Sequence, residues 1–411
     1  MSDGDLVRPD WVRRLNLFGS AVGDPALLVG LDPDELLEAA RTSTGLSDFG
    51  DDDWQPAFRA VVGAMERNAE LTVIGRLSAR GELIRCLQTR LRLTAHWSKR
   101  PEILTAAVVA PLFVLGPPRT GTSILLELLA LDPNLRPVLA HEAHFPLGPL
   151  PGIEASAVEC SEPEQEFWAD IQPEFMTMHE LRSDLPCECV HFCSPEFHSW
   201  HWPMMHALGD VDGLGQGAGM PEIYAWHKRF LQTLQDRDGM PQSFLLKSPA
   251  HLGSLAELLS AYPDARLIHT HRDPLKFVGS SANLTATLQW MRGTSLDKTG
   301  RGPLMSLAYQ LMLGMVMAQR DSGVVPAGQI ADLHFQELLA DPVDAISRAY
   351  DHLGMELPAE MHEAVPAYLA SKPKGKFGPH RYDPASLSLD EAGLRSEFAD
   401  YINRYNVALE D

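Results

Sequence analysis

Phe113-Val-Leu-Gly-Pro-Pro-Arg-Thr-Gly-Thr-Ser123 is the stretch around which this chain is organised. It continues an apolar run from Val108 to Leu115 that only Pro111 interrupts. Such a run reads as a buried strand. Gly116, Pro117, Pro118 and Gly121 then impose a tight loop. Beyond it, Ile124, Leu125, Leu128 and Leu129 fall on one face of a helix. A strand, a glycine loop and a helix in succession point free backbone N–H groups at an anion.

The spacing is close to that of a P-loop. Gly116 and Gly121 occupy the glycine positions, and Ser123 ends the motif. Thr122 stands where a nucleotide triphosphatase needs its lysine, and Arg119 lies inside the loop. The loop therefore reads as a phosphate site that is not built for ATP hydrolysis. A second stretch follows the same grammar. Ala265-Arg-Leu-Ile-His-Thr270 reads as another buried strand, running into His271-Arg272-Asp273-Pro274 and a helix that carries Ser280.

With these two stretches the chain resembles the sulfotransferases that use 3′-phosphoadenosine-5′-phosphosulfate (PAPS), in a bacterial branch similar to the cytosolic and tyrosylprotein enzymes. Pro118-Arg119-Thr120-Gly121-Thr122-Ser123 matches the segment that cradles the 5′-phosphosulfate in that family. Arg272 with Ser280 matches the pair that holds the 3′-phosphate. The resemblance covers about residues 106–411 and implies a P-loop-like, doubly wound parallel α/β sheet flanked by helices. It implies a sulfuryl transfer to an acceptor hydroxyl, with PAPS as co-substrate, adenosine 3′,5′-bisphosphate as product and no metal.

The same resemblance supplies the remaining candidates. Ser243-Phe-Leu-Leu-Lys247 reads as a strand whose last residue is placed to meet a ligand in an open α/β sheet. Lys247 matches a catalytic lysine of the cytosolic branch, whereas His251 lies two positions beyond the family's histidine. His141-Glu142-Ala-His144 follows the loop's helix, and Glu142 aligns with the catalytic base of the tyrosylprotein branch. The expected base is Glu142, then His144 or His251. Near the C-terminus, Ser371-Lys-Pro-Lys-Gly-Lys-Phe-Gly-Pro-His-Arg-Tyr382 is a basic, glycine-containing loop. Lys374, Lys376 and Arg381 are its candidates for the 3′-phosphate and adenosine.

Composition bounds these readings. The chain has 411 residues, 45% hydrophobic and 22% charged, as in an ordinary globular protein. A net charge of −21 argues against a nucleic-acid partner. It also requires a local cluster of cations for any anionic ligand. Five cysteines give no disulfide framework, the N-terminus lacks a signal peptide's apolar core, and no apolar run reaches membrane length. A cytoplasmic protein is the expectation. The expected partner is a small-molecule or lipid hydroxyl acceptor of apolar character; a homo-oligomer stays open.

Residues 1–105 read as a helical N-terminal extension, and residues 106–411 as the α/β domain. Asp32-Pro33 starts one helix, Asp51-Asp52-Asp53-Trp54 caps another, and Glu82–Trp97 forms a third that exposes Arg85 and Arg92. Within the domain, residues 151–240 read as inserted acceptor-site segments rich in aromatics, with Gly209–Gly219 a lid-like loop. Cys187, Cys189, His191 and Cys193 form a thiol–imidazole patch that fits a strand with small cysteines on one face better than a zinc site. A methionine-rich helix spans 303–320, a last strand 329–335 and a final helix 389–405. Three alternatives remain: a kinase-like P-loop phosphotransferase, a nucleotide-binding protein without catalysis, and a zinc-dependent protein built on the cysteine patch.

Overall fold

The computed structural model describes residues 6–68, 70–206, 208, 219–239, 242–296, 298–372 and 382–410. Lys374, Lys376 and Arg381 lie outside the described residues, as does the Gly209–Gly219 loop apart from Gly219. Four helices come first: α1 (Asp10–Val22), α2 (Pro33–Thr44), α3 (Gln55–Asn68) and α4 (Val73–Lys99). The sequence reading took this region as helical but placed no individual helix before Asp32, and α4 is longer than the Glu82–Trp97 helix expected. Asp32 caps α2 by accepting from the N–H groups of Asp34 and Glu35, and Pro33 occupies the first turn.

Five strands follow with their crossover helices. β1 (Leu112–Leu115) leads to α5 (Thr122–Leu129), β2 (Leu135–Pro137), α6 (Ala140–His144) and α7 (Ala157–Ile171). Next come α8 (Cys189–Cys193), α9 (His201–His206), α10 (Met220–Asp238), β3 (Ser243–Lys247) and α11 (Leu255–Ala261). The chain continues through β4 (Arg266–His271), α12 (Pro274–Arg292), α13 (Arg301–Asp321), β5 (Ile330–His334), α14 (Phe335–Ala340) and α15 (Pro342–His352). It ends in α16 (Met361–Ser371), α17 (Glu391–Glu397) and α18 (Ala399–Tyr405).

All strand pairs are parallel, in the order β2-β3-β1-β4-β5. Alternate residues serve opposite faces. Phe113, Leu115, Leu246, Leu267 and Ile330 join one core with Trp226 and Phe230 of α10 and Leu255 of α11. Leu112, Val114, Leu245, Ile268 and Leu333 join the other with Leu125 of α5, Ile346 and Tyr350 of α15, and Val365 of α16. Each fully buried side chain of this kind contributes about 1.5–3 kcal/mol, which explains a sheet covered on both faces. This is the doubly wound architecture that the resemblance implies. β1 is the central strand, with β3 and β4 on its flanks, so the ends of these three strands share one crevice.

Several local expectations are corrected. β1 is shorter than the Val108–Leu115 run, and β2 was not anticipated. The cysteine patch is the short helix α8, not a strand, with Cys189 and Cys193 turned into the core. Arg85 is buried rather than exposed, because Glu164 accepts from its Nε at 2.7 Å with both oxygens. The final helix is broken into α17 and α18 at Phe398. The α2–α4 helices form a core of their own that also takes in Phe197 and Trp202, while Leu93 and Trp97 of α4 join the first sheet core. The aromatics Trp168, Phe175 and Trp202 are core residues.

Candidate functional site

The β1–α5 loop has the geometry that its glycines permit. Gly116 has φ of 149°, and a Cβ there would stand 2.1 Å from Thr270 Oγ1 and 2.8 Å from Thr120 Oγ1. Gly121 has φ of 91°, and its Cβ would meet the Phe335 ring at 2.8 Å. Only glycine fits either position. Thr120 is a brace of the loop: its hydroxyl donates to the Pro117 carbonyl and lies 2.6 Å from Thr270 Oγ1. Thr270 in turn donates to the Leu115 carbonyl. Thr122 and Ser123 open α5, with Thr122 buried.

Arg119 adopts a left-handed conformation, φ 71°, and donates through Nη1 to the Met178 carbonyl at 2.5 Å. Arg272 follows the end of β4 and donates through Nη1 to the Arg119 carbonyl at 2.7 Å. Its guanidinium stacks 4.0 Å from the centre of the Phe335 ring. Burial and then the charge of Arg272 push the Arg119 guanidinium below its ordinary value. A buried guanidinium beside a second one marks a place for an anion. Ser280, eight residues after Arg272, is buried on α12 beside Gly279, whose Cα faces Tyr382. The Glu410 carboxylate pairs with Arg272 at 2.7 and 2.8 Å. Its own N–H donates to Asp273, and its carbonyl accepts from Arg395.

The second half of the site belongs to β3. Lys247 is buried and donates to Ser123 Oγ at 3.3 Å and to the Glu188 carboxylate. Glu188 stands at the N-cap of α8. Burial opposes its charge, but Lys247 and His179 outweigh it and hold its carboxyl below the usual range. Burial, with the charge of Lys247, lowers His179 to about 4, so its ring is neutral at pH 7. Ser123, His179, Glu188 and Lys247 line one narrow cavity of about 20 Å³ whose other walls include Leu126, Leu181 and Leu185. Lys372 reaches the same cavity's rim, pairing with Glu127 of α5 and with Glu180, each at 2.8 Å. Both described ends of the basic C-terminal segment, Lys372 and Tyr382, therefore flank the phosphate loop.

Other expected residues lie elsewhere. Glu142 does not join this cluster. Its oxygens accept from Arg136 at 2.8 and 2.6 Å, from the Leu139 N–H at 3.0 Å and from Arg237. Burial opposes its charge, yet these donors hold the carboxyl below its ordinary value. His144 is buried against Ser161 Oγ at 2.9 Å, and burial holds it well below its usual pKa. His251 is buried against the Tyr224 hydroxyl at 2.8 Å. Sequence reasoning missed Glu188 and His179. Glu188's signal, a carboxylate at a helix start, was masked by the thiols on both sides of it.

The family model for the sulfotransferase family matches residues 111–359, which include the loop, Glu188, Lys247, Arg272 and Ser280. The chain belongs to the sulfotransferase family. Its fold is similar to that of sulfotransferase STF9 from Mycobacterium avium, with a TM-score of 0.76, 28% identity, and 92% of this chain and 97% of that one covered. Sulfotransferase STF1 from Mycobacterium tuberculosis gives a TM-score of 0.74, 26% identity, and coverage of 90% and 98%. These likenesses extend over the N-terminal helices of this sulfotransferase as well as its sheet. A curated relative, the omega-hydroxy-beta-dihydromenaquinone-9 sulfotransferase Stf3 of Mycobacterium bovis, is 27% identical over 120 residues. That stretch spans 28% of this chain and 29% of the relative.

Proposed function

We propose that this protein transfers a sulfuryl group from PAPS to the hydroxyl of an apolar, lipid-like acceptor. One observation carries the reading: Arg272 touches the Arg119 turn directly, so the two phosphate-binding elements face one ligand. A donor with phosphates at two positions fits that pair, and the left-handed Arg119 turn aims loop N–H groups at the nearer one. Arg272 and Ser280, with the basic segment between Lys372 and Tyr382, then select for a 3′-phosphate. Lys374, Lys376 and Arg381 keep their proposed role in that segment.

Lys247 and Glu188 divide the chemistry. The acceptor oxygen attacks sulfur as the bond from sulfur to the phosphate oxygen breaks, in line. Lys247 and Ser123 are placed to stabilise the charge left on that oxygen. Glu188 takes the hydroxyl proton in place of Glu142, because Lys247 loosens its hold on the carboxylate when it turns to the leaving phosphate. His179, neutral and in the same cavity, is the residue to relay that proton outward. Leu126, Leu181 and Leu185 give this narrow cavity an apolar wall beside its polar groups. The Mycobacterium bovis relative, whose name gives a hydroxylated menaquinone as its substrate, supports the apolar, lipid-like acceptor.

The test uses PAPS labelled in its sulfur and a panel of hydroxylated isoprenoids and long-chain alcohols. Label appearing in an organic-soluble sulfate ester, with adenosine 3′,5′-bisphosphate formed in equal amount, is the expected result. Turnover of magnesium ATP without any use of PAPS overturns the proposal.

A further inference from the structure

A separate constellation lies beneath the same strand ends. Cys189 opens α8, His227 sits in the middle of α10, and His251 lies in the turn after β3. All three are buried, at 2%, 0% and 6% exposure. One ligand atom from each, the Cys189 sulfur and a ring nitrogen of either histidine, lie within 4.8 Å of one another.

The histidine rings are held from behind. His227 Nδ1 bonds the Tyr262 hydroxyl at 2.7 Å, and His251 Nδ1 bonds the Tyr224 hydroxyl at 2.8 Å. The Nε2 atoms of both are buried with no hydrogen-bond partner among the described residues. Leaving a buried polar atom unsatisfied is costly, and here it occurs twice beside one thiol. Two other groups with donor atoms in reach also hold buried ring nitrogens without a partner among the described residues, Nδ1 of His201 and His206 and both nitrogens of His269. Each of those groups, however, contains a carboxylate already engaged: Glu82 accepts from Nε2 of His201 and His206, and Asp332 from Nε2 of His271.

We propose that Cys189, His227 and His251 form a binding site for a soft divalent transition metal, with zinc the best match. Two imidazoles and one thiolate are ligands that zinc favours, and an imidazole oriented through its other nitrogen is the usual arrangement. Bonds of about 2.0–2.3 Å place ligand atoms roughly 3.5 Å apart, so atoms now within 4.8 Å of one another need to close by about 1.3 Å at most. On binding, the Cys189 S–H bond breaks, its proton leaves to solvent, and the sulfur lone pair forms the metal bond. No electron changes hands.

The sequence reading assigned no metal to the sulfuryl step, and this site stands outside that step. Its consequence is positional. Glu188 precedes Cys189, and Lys247 ends the strand that leads into the His251 turn. A metal that ties α8, α10 and the exit of β3 together fixes the distance between that carboxylate and that ammonium.

The test titrates the reduced, chelator-treated full chain with cobalt(II), a spectroscopic stand-in for zinc. A thiolate-to-cobalt charge-transfer band that saturates at one equivalent and is displaced by zinc is expected. Cys189→Ala removes the band, and Cys160→Ser, at a residue outside the set, keeps it. Should the alanine variant fail to fold, His251→Gln with the band at least tenfold weaker serves the same purpose. No band in the unsubstituted protein, or a band that survives in Cys189→Ala, overturns the proposal.

Discussion

Glu142, buried, and Glu188, half-buried, are both carboxylates paired with cations, and their cations set them apart. Among the described residues, Arg136 and Arg237 pair with no carboxylate other than Glu142 and Asp238. Lys247 also reaches Ser123 of the phosphate loop, so a ligand there competes for it. Glu188→Gln is expected to lower kcat by about 10²–10⁴ while adenosine 3′,5′-bisphosphate affinity stays within roughly threefold, because a general base acts on the transition state. Glu142→Gln is expected to keep turnover and to lose about 1–3 kcal/mol of stability in thermal denaturation, since buried donors lose their charged acceptor. Full turnover by Glu188→Gln would remove the base assignment. The sequence could not rank the two, because their deciding partners are remote: Arg237 is 95 residues from Glu142, and Lys247 is 59 from Glu188. The loop residues were legible because their constraint is local. Gly116→Ala, which drives a methyl into Thr270, is expected to abolish nucleotide binding measured by calorimetry.

Elements long enough to show a period were readable, and short ones were not. β1, β3, β4 and β5 each carry an apolar run bounded by turn residues, and the sequence placed all four within a few positions. β2 has three residues and α8 five, too few for any periodicity to act on, so one was overlooked and the other taken for a strand. The C-terminal element holds a surprise of a different kind. Glu410 sits on Arg272 with both oxygens, in the place proposed for a phosphate. A carboxylate that must be displaced weakens apparent affinity for the ligand that displaces it. Glu410→Gln is therefore expected to tighten adenosine 3′,5′-bisphosphate binding by about 3–10-fold in a calorimetric titration. Unchanged affinity would mean that the tail and the nucleotide do not compete.

At the scale of the molecule, a sheet with every strand parallel gathers the phosphate loop, Lys247 and Arg272 at one edge, although they stand far apart in the chain. That convergence was legible from strand–loop–helix order taken with the family resemblance. The buried histidines around the sheet were not, since their burial depends on helices from three regions. Burial lowers His191 to about 3, and His179 and His206 to about 4. An unfolded chain takes up protons on these rings from about pH 6.5 downward, and the folded chain does not. Acid therefore favours unfolding, by roughly 2 kcal/mol per ring between pH 6.5 and 5. The melting temperature is expected to fall steadily over that window, and a flat profile would show that the rings take up protons while the chain stays folded. The central claim is that one nucleotide with two phosphates spans the Arg119 turn and Arg272, held by local cations within a chain of net charge −21. Calorimetry comparing adenosine 3′,5′-bisphosphate with adenosine 5′-monophosphate, on the native chain and on Arg272→Ala, tests it most directly. The bisphosphate is expected to bind at least about tenfold more tightly to the native chain, with the advantage lost in the variant, since hydrogen bonds to charged groups are worth about 1.5–3 kcal/mol each. Equal affinity of the two nucleotides for the native chain, or an advantage that survives in Arg272→Ala, would contradict the account.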